Sequence, residues 1–409
     1  MSQREMGPST MSAIDFDPFD AKWFEDPYSA YRVLRREAPA YCREIPKPRV
    51  WPRYWMLSRA ADVNTALLDW RTFSSARGTL VDTDIALIPP NIFNMDPPRH
   101  DELRALLARV LTPARVAALE PGVREYATAL ARELRERGRF DVATEFAQLI
   151  PTITMCELMD LPRSERERFL AWNLATLAGG DFTSPAALAA YGEMEQYWRG
   201  LVAERRKRPG VDLISQILHA EVRGAALSDA EIAGFCSLLH DAAQNTTMNM
   251  IAGSVIALAR APEQRRLLAA NPALWSSAVD ELLRFVSPVQ GLARTTTREV
   301  EIGGAKLPAG EQVLLLYGSA NHDETVFENA ERLDFTRPSR FHWAFGHGIH
   351  TCLGASAARL EVRVALQALL AELGEWDVEE RGIVRNQLVP TRGVAQAPVV
   401  VGASRSGDR

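Results

Sequence analysis

The ten residues Phe345-Gly-His-Gly-Ile-His-Thr-Cys-Leu-Gly354 constrain this chain more than any other stretch. Three glycines around one cysteine describe a backbone that passes very close to something bulky. An amphipathic helical pattern, Ala355–Leu373, follows at once, so Cys352 sits just ahead of a helix N-terminus. Exposed N–H groups and the helix dipole there favour a thiolate over a thiol. A thiolate beside a flat, glycine-bared surface points to a metal ligand for a large planar cofactor. Two other readings share the stretch. Zinc would find nitrogen and sulfur ligands in His342, His347, His350 and Cys352, although their spacing matches no usual zinc pattern. Gly346 and Gly348 begin a dinucleotide fingerprint, but Thr351 stands where its third glycine belongs and no clear strand precedes it.

A second anomaly lies upstream. Phe235–Ala259 reads as a buried helix, yet its middle, His240-Asp-Ala-Ala-Gln-Asn-Thr-Thr-Met-Asn-Met250, is polar. Buried polar groups cost free energy unless they are paired. A core helix carrying Asp241, Gln244, Asn245, Thr246 and Thr247 therefore has a task for them. Thr246 can bond back to the carbonyl of Ala242, four residues earlier, and open the helix locally.

The bulk numbers set wide bounds. The 409 residues are 47% hydrophobic and 24% charged, ordinary for a globular protein, and a net charge of -5 argues against a general nucleic-acid binder. The N-terminal residues carry no apolar signal region, and the longest apolar run, 251–259, is too short to span a bilayer. Four scattered cysteines form no disulfide framework and point to a reducing cytoplasm. Helical periodicity dominates, over Asp101–Val110, Gly122–Arg137, Glu193–Arg206, and from the Asn271-Pro272 cap to just before Ser287-Pro288. Strand patterns are few. Arg53–Leu57 is one; Val300–Ile302, a Gly303-Gly304 turn and Gln312–Tyr317 suggest a hairpin region; another pair flanks Pro390–Val394 and ends in Ala397–Val401. The expectation is a mainly α chain with small β-sheets (α+β). Residues 16–401 form one domain in this reading, and residues 1–15 a flexible tail.

On these residues the chain resembles the cytochrome P-450 family. The family's haem loop, Phe-Gly-x-Gly-x-Arg/His-x-Cys-x-Gly, is matched by Phe345, Gly346, Gly348, His350, Cys352 and Gly354. Its Glu-x-x-Arg mark is matched by Glu281-Leu-Leu-Arg284, whose i, i+3 spacing puts both charges on one helix face. The resemblance runs from about Phe16 to Val401. It implies a fold with a long central helix over haem b (iron protoporphyrin IX), with Cys352 as the iron ligand. Arg332 is implied as a third member of the Glu281–Arg284 cluster; there Ala330 and Leu333 replace the usual proline and phenylalanine. His100, Arg104, Arg294 and His350 are implied as partners of the haem propionates.

A thiolate ligand pushes electron density onto the iron and favours O–O cleavage. The implied reaction takes O2, two electrons and two protons to water and one oxygen atom inserted into a small molecule. No flavin or iron–sulfur module is fused to this sequence, so the resemblance implies a ferredoxin and its reductase as electron donors, with Arg99, Arg109 and Arg115 as a docking patch, and a monomer.

The family's central helix usually reads Ala-Gly-x-Asp/Glu-Thr-Thr, and Ala242–Thr247 lies in that register with two departures: Ala243 for glycine and Asn245 for the acid. An amide hydrogen-bonds but does not titrate. Proton delivery is then expected through Thr246 and ordered water, with Asp241 as another acid one turn before Asn245. Asp241 also replaces a residue that is usually apolar, so it needs a partner: a polar substrate group, His240 or water. Family register places the rest of the pocket. Ile85, Leu87, Ile88, Ile92 and Phe93 come from the loop before the propionate helix, and Leu177 from the lid. Leu238 and Ala242 lie on the central helix, and Val289, Gln290, Leu292 and Pro390-Thr391 close it. Such a lining suits a terpenoid, steroid or polyketide-sized molecule. Asn245 leaves open an atypical enzyme that uses peroxide or performs oxidative coupling, and outside enzymes a non-catalytic haem sensor.

Overall fold

The computed structural model describes residues 14–87, 91–177, 184–222, 225–338, 341–386 and 391–402. In chain order the principal helices are α1 (Tyr28–Glu37), α2 (Ala60–Leu68), α3 (Arg99–Val110), α4 (Pro113–Arg137) and α5 (Leu149–Leu158). They continue as α6 (Arg166–Leu177), α7 (Pro185–Lys207), α8 (Asp229–Arg260), α9 (Trp275–Val286) and α10 (Ala355–Leu373). The strands are β1 (Ala40–Glu44), β2 (Arg53–Leu57), β3 (Phe73–Ser74), β4 (Arg139–Asp141), β5 (Leu292–Thr296) and β6 (Val300–Ile302). After them come β7 (Ala305–Leu307), β8 (Gln312–Leu315), β9 (Trp376–Val378), β10 (Val384–Asn386), β11 (Gly393–Gln396) and β12 (Pro398–Val401). Helices dominate, as the periodicity implied.

Local chemistry sets many of the boundaries. Ser228 and Glu231 form a reciprocal capping box at the start of α8, satisfying two of its free N–H groups. Thr112 caps α4 and Pro113 occupies its first turn. Asn271 behaves otherwise: its side chain donates to Leu267 O at 2.8 Å, and a 3-10 turn, Pro272–Leu274, precedes α9. The Gly303-Gly304 pair, with φ of 58° and 79°, makes a two-residue turn that returns the chain at once. The partner of β6 is therefore β7, and Gln312–Leu315 joins another sheet. That sheet has the order β1-β2-β8-β5-β3, with β8 parallel to β2 and antiparallel to β5. At the C-terminus β10 pairs with β11, and β12 lies between β9 and β4; Pro390 falls outside the described residues.

The interior is organised around α8 and α10. From Thr247 to Ala259 every residue of α8 but Gly253 is buried, so this half of the helix is packed on all sides. One core cluster joins Ala127 and Leu134 of α4, Ile251 and Val255 of α8, and Leu366 and Leu369 of α10. Another joins Phe169 of α6 and Trp198 of α7 to Ile232 and Cys236 of α8.

A buried ion cluster ties α9 to the segment before the cysteine loop. Arg284 meets Glu281 through two parallel bonds of 2.8 Å and donates to the carbonyls of Asn321 and Ala330, both at 2.8 Å, and of Arg332 at 3.2 Å. Fork-on-fork geometry of this kind is strong and directional. The third cation differs from expectation. The Arg332 side chain is exposed and lends only its carbonyl, whereas Arg337 Nε reaches Glu281 Oε1 at 3.2 Å. The Asp334 carboxylate, accepting from Thr336 N and Oγ1, folds a turn that swings Arg337 inward and leaves Arg332 outside.

Candidate active site

Cys352 is held by its own loop and by α10. Its N–H donates to Phe345 O at 2.9 Å, and α10 begins three residues later with Gly354 at its cap. The thiol is accessible yet surrounded by protein, so it opens on an internal space. Burial pushes its pKa up, while the Gly354 backbone N–H and the Arg104 and Arg359 guanidiniums pull it down. The loop glycines divide the work. A Cβ at Gly348, where φ is +74°, would lie 2.5 Å from Leu67 O of α2, so this glycine serves backbone packing. A Cβ at Gly354 would meet only the cysteine sulfur, at 4.0 Å, which leaves that side bare for a flat ligand.

The zinc reading fails on geometry. His342 turns to Asp280 and His347 to Asn64, at 3.5 Å and 2.7 Å. No group of three His, Cys, Asp or Glu able to hold a metal ion occurs among the described residues.

A positively charged wall stands beside Cys352. Arg104 Nη2 donates to Thr351 O at 2.5 Å, fastening α3 to the cysteine loop. His100 lies four residues earlier, fully buried, with Nδ1 2.8 Å from Asp101 and its ring 4.4 Å from that of His350. Burial, then Arg294, His100 and Arg104, push the His350 imidazole down to about 3. Nε2 of His100 and Nε2 of His350 are both buried without a hydrogen-bond partner. Unmade bonds on buried polar atoms are costly; a pair of carboxylates would bring the negative charge that lets these two rings bind as donors beside Arg104 and Arg294. The accessible thiol, the bare Gly354 side and this wall together fit a haem.

Above the loop, α8 turns a mostly apolar strip, ending at Thr246, to the same interior. Leu238, Leu239, Ala242, Ala243 and Thr246 are accessible although the helix is otherwise packed, and Ala243 shares a core cluster with Leu353, next to the cysteine. Thr246 Oγ1 donates to Ala242 O at 2.8 Å, the local bond its spacing implied. Asn245 is buried with Oδ1 unpartnered. Gln244 Oε1 accepts from Thr152 at 3.0 Å, and its Nε2 is unpartnered.

Asp241 does have a partner, and it is not His240. Tyr191 of α7 is the hydrogen-bonding neighbour that acts on its carboxyl, while Oδ1 stays covered and unpartnered. Burial pushes Asp241 up to about 7, and Tyr191 opposes this. His240 is boxed by Phe169 and Trp172 at ring distances of 5.2 Å and 5.8 Å. Both its nitrogens are unpartnered, and burial lowers it to about 4, so it is neutral.

Sequence reasoning missed Tyr191, and it also missed Glu361. This α10 carboxyl is buried and touches Thr154 and Thr247; burial pushes it up to about 7, and the two threonines act against that. An acid poised near neutrality beside Thr247 can hold or give a proton at physiological pH. Nothing in its own stretch marks it, because a glutamate in an amphipathic helix ordinarily faces water.

Of the other pocket positions, Val289 forms an isolated bridge with Thr391, and Leu292 opens β5 and is half-buried. Phe93 is exposed on a 3-10 turn. Gln290 is engaged elsewhere, accepting from the Tyr31 hydroxyl at 3.0 Å and donating to Ser287 O. Ile88 lies outside the described residues, and Leu177 is described only as the last residue of α6. Among the basic residues near α3, Arg99 is paired with Glu231 at 2.5 Å and Arg115 donates to Val211 O at 2.9 Å; Arg109 is exposed.

Comparison with known proteins meets this geometry. Residues 273–398 match the family model described as cytochrome P-450. Cytochrome P-450 130 of Mycobacterium tuberculosis is 40% identical over 387 residues, 92% of this chain and 95% of that one. Vitamin D(3) 25-hydroxylase of Pseudonocardia autotrophica is 37% identical over 97% of this chain and 99% of its own. Among solved structures, cytochrome P-450 PksS of the Bacillus subtilis bacillaene polyketide synthase superposes with a TM-score of 0.87 at 30% identity, covering 95% of this chain and all of that one.

Proposed function

This chain belongs to the cytochrome P-450 family and is a haem b-dependent monooxygenase; from that premise we propose that it oxidises a mostly apolar molecule of terpenoid, steroid or polyketide size. The observation that carries the site assignment is the accessible Cys352 thiol beside two buried, unpartnered histidine nitrogens and two arginines. Cys352 would bind the iron; His100, Arg104, Arg294 and His350 would hold the propionates. When bound, the haem supplies activation of O2 and transfer of one oxygen atom. Thr246, whose hydroxyl proton goes to Ala242 O, would accept a hydrogen bond from water on that face of α8. Asn245 can orient water there but gives no proton. Glu361, one contact away at Thr247, is positioned to supply one.

The substrate scale is supported by the accessible apolar residues Leu238 and Ala242 of α8, by the apolar Val289 and Leu292 that family register adds, and by relatives that are a vitamin D(3) hydroxylase and a polyketide synthase P-450. We assign electron delivery to a ferredoxin and its reductase, docking near the exposed Arg109, and treat residues 16–401 as one haem domain acting as a monomer. A cytoplasmic setting suits four free cysteines, and no helix among the described residues is long and apolar enough to cross a membrane. The test is the spectrum of the reduced, carbon monoxide-bound protein. A red-shifted Soret band that disappears in Cys352→Ala is expected; an unshifted band in the parent protein would refute thiolate ligation.

A further inference from the structure

Asp241 is a carboxyl that the fold half satisfies. Tyr191 of α7 acts on the carboxyl as its hydrogen-bonding neighbour, and Oδ1 is covered with no partner of its own. The residue lies on α8 beside the accessible strip of Leu238, Ala242 and Thr246, one turn before Asn245. Leaving a buried carboxyl oxygen unbonded is expensive, and a position required only for packing would be filled by an apolar residue of similar volume. His240 does not repair the deficit, since its ring is enclosed by Phe169 and Trp172. No other side chain among the described residues supplies the donor, and a ligand lying on the adjacent strip can.

We infer that Asp241, braced by Tyr191, is a specificity-determining anchor, and that the substrate presents a hydroxyl or N–H group to Oδ1 from an otherwise apolar skeleton. This deepens the monooxygenase reading and rests on it. An ionised carboxylate accepts hydrogen bonds only, and the Tyr191 proton is already committed, so the complementary group is a donor. The anchor fixes one end of the substrate relative to the strip that ends at Thr246, and so fixes which carbon is presented for oxidation. The Tyr191 bond also joins α7 to α8, so donor binding and the seating of α7 share one carboxyl.

Titration separates this anchor from a merely structural acid. Among the described residues, Tyr191 of α7 is the ionisable group acting on Asp241; Phe169 and Trp172 of α6 carry no charge, and His240 stays neutral. Below its titration Asp241 can donate to a ketone. Above it, only donors are welcome.

The experiment uses haem-loaded protein and two matched sets of probes: adamantanol, adamantanone and adamantane, and androstanol, androstanone and androstane. Affinities are read by spin-state titration and calorimetry at about pH 6 and about pH 8.5, either side of the carboxyl's titration. On at least one skeleton the alcohol should bind roughly tenfold or more tighter than its hydrocarbon and its ketone at the higher pH. The ketone should gain as pH falls. Asp241→Leu should reduce the alcohol's advantage to about twofold or less while retaining the hydrocarbon. Asp241→Asn should accept both alcohol and ketone without the pH dependence. Tyr191→Phe, removing a donor to the carboxylate, should move the ketone's gain to higher pH. An alcohol no better than its hydrocarbon, or no binding on either skeleton, overturns the inference. The carbon monoxide spectrum of the same sample separates the two failures: a lost Soret shift refutes the haem-thiolate reading, and a retained one confines the failure to Asp241.

Discussion

Replacing Glu361 with glutamine should stabilise the protein, and by an amount that grows with pH. The carboxyl is buried against Thr154 and Thr247 and pushed from 4.5 up to about 7. At about 1.4 kcal/mol per pKa unit, that displacement makes the ionised side chain cost the fold about 3.5 kcal/mol. The folded pKa is the raised one, so the folded state holds its proton more tightly than the unfolded chain. Below about 4.5 both states are protonated and the carboxyl costs little more than an amide. Between 4.5 and about 7 the unfolded chain releases its proton first, and stability falls. Above about 7 both states are ionised and the whole penalty is present. Glutamine keeps the shape and an oxygen for the threonine hydroxyls but never ionises. The assay is urea unfolding of haem-loaded parent and Glu361→Gln proteins, followed by far-ultraviolet circular dichroism across a pH series. The quantity read is the difference between the two, in which haem release largely cancels. A difference that stays flat with pH, or a variant less stable than the parent in alkaline buffer, would refute the reasoning.

Other perturbations test separate parts of the structure. Arg337→Ala should lower stability by roughly 2 kcal/mol or more by stripping a cation from buried Glu281, whereas Arg332→Ala should stay within about 0.5 kcal/mol; thermal unfolding midpoints decide between them. Gly348→Ala forces a side chain toward Leu67 O at positive φ and should cost about 1–3 kcal/mol, with less haem retained per chain. Asn245→Asp should raise product formed per reducing equivalent if the amide limits proton delivery; an unchanged ratio would show that it does not.

The sequence was most legible where chemistry is local. The cysteine loop, the Glu281–Arg284 pair and the Thr246 back-bond each join residues only a few positions apart, so spacing alone predicts contact. Arg337 escaped because it and Arg332 lie in one irregular segment, and the Asp334 turn decides which of them points inward. Tyr191 reaches Asp241 only through the packing of α7 on α8, and neither helix advertises the other. Glu361 looked like an outward-facing charge in an amphipathic pattern; α10 is enclosed on more sides than that pattern suggests. The hairpin expected between 300 and 317 formed at its Gly303-Gly304 turn, but with Ala305–Leu307 and not Gln312–Tyr317 as its second strand. Two glycines close the turn immediately, and the later strand's partners are β2 and β5.

That last pairing bears on how the protein is made. Residue 312 pairs with residue 54, and residue 296 with residue 73, so β2, paired early with β1, gains its second neighbour, and β3 its partner, only when the final third of the chain is available. Until then β2 offers Trp55 and Leu57 on an open edge, a template for pairing with other chains. Contacts spanning such separations also slow folding. A chain cut before Gln312 would therefore be expected to expose an adhesive edge rather than form a smaller folded unit.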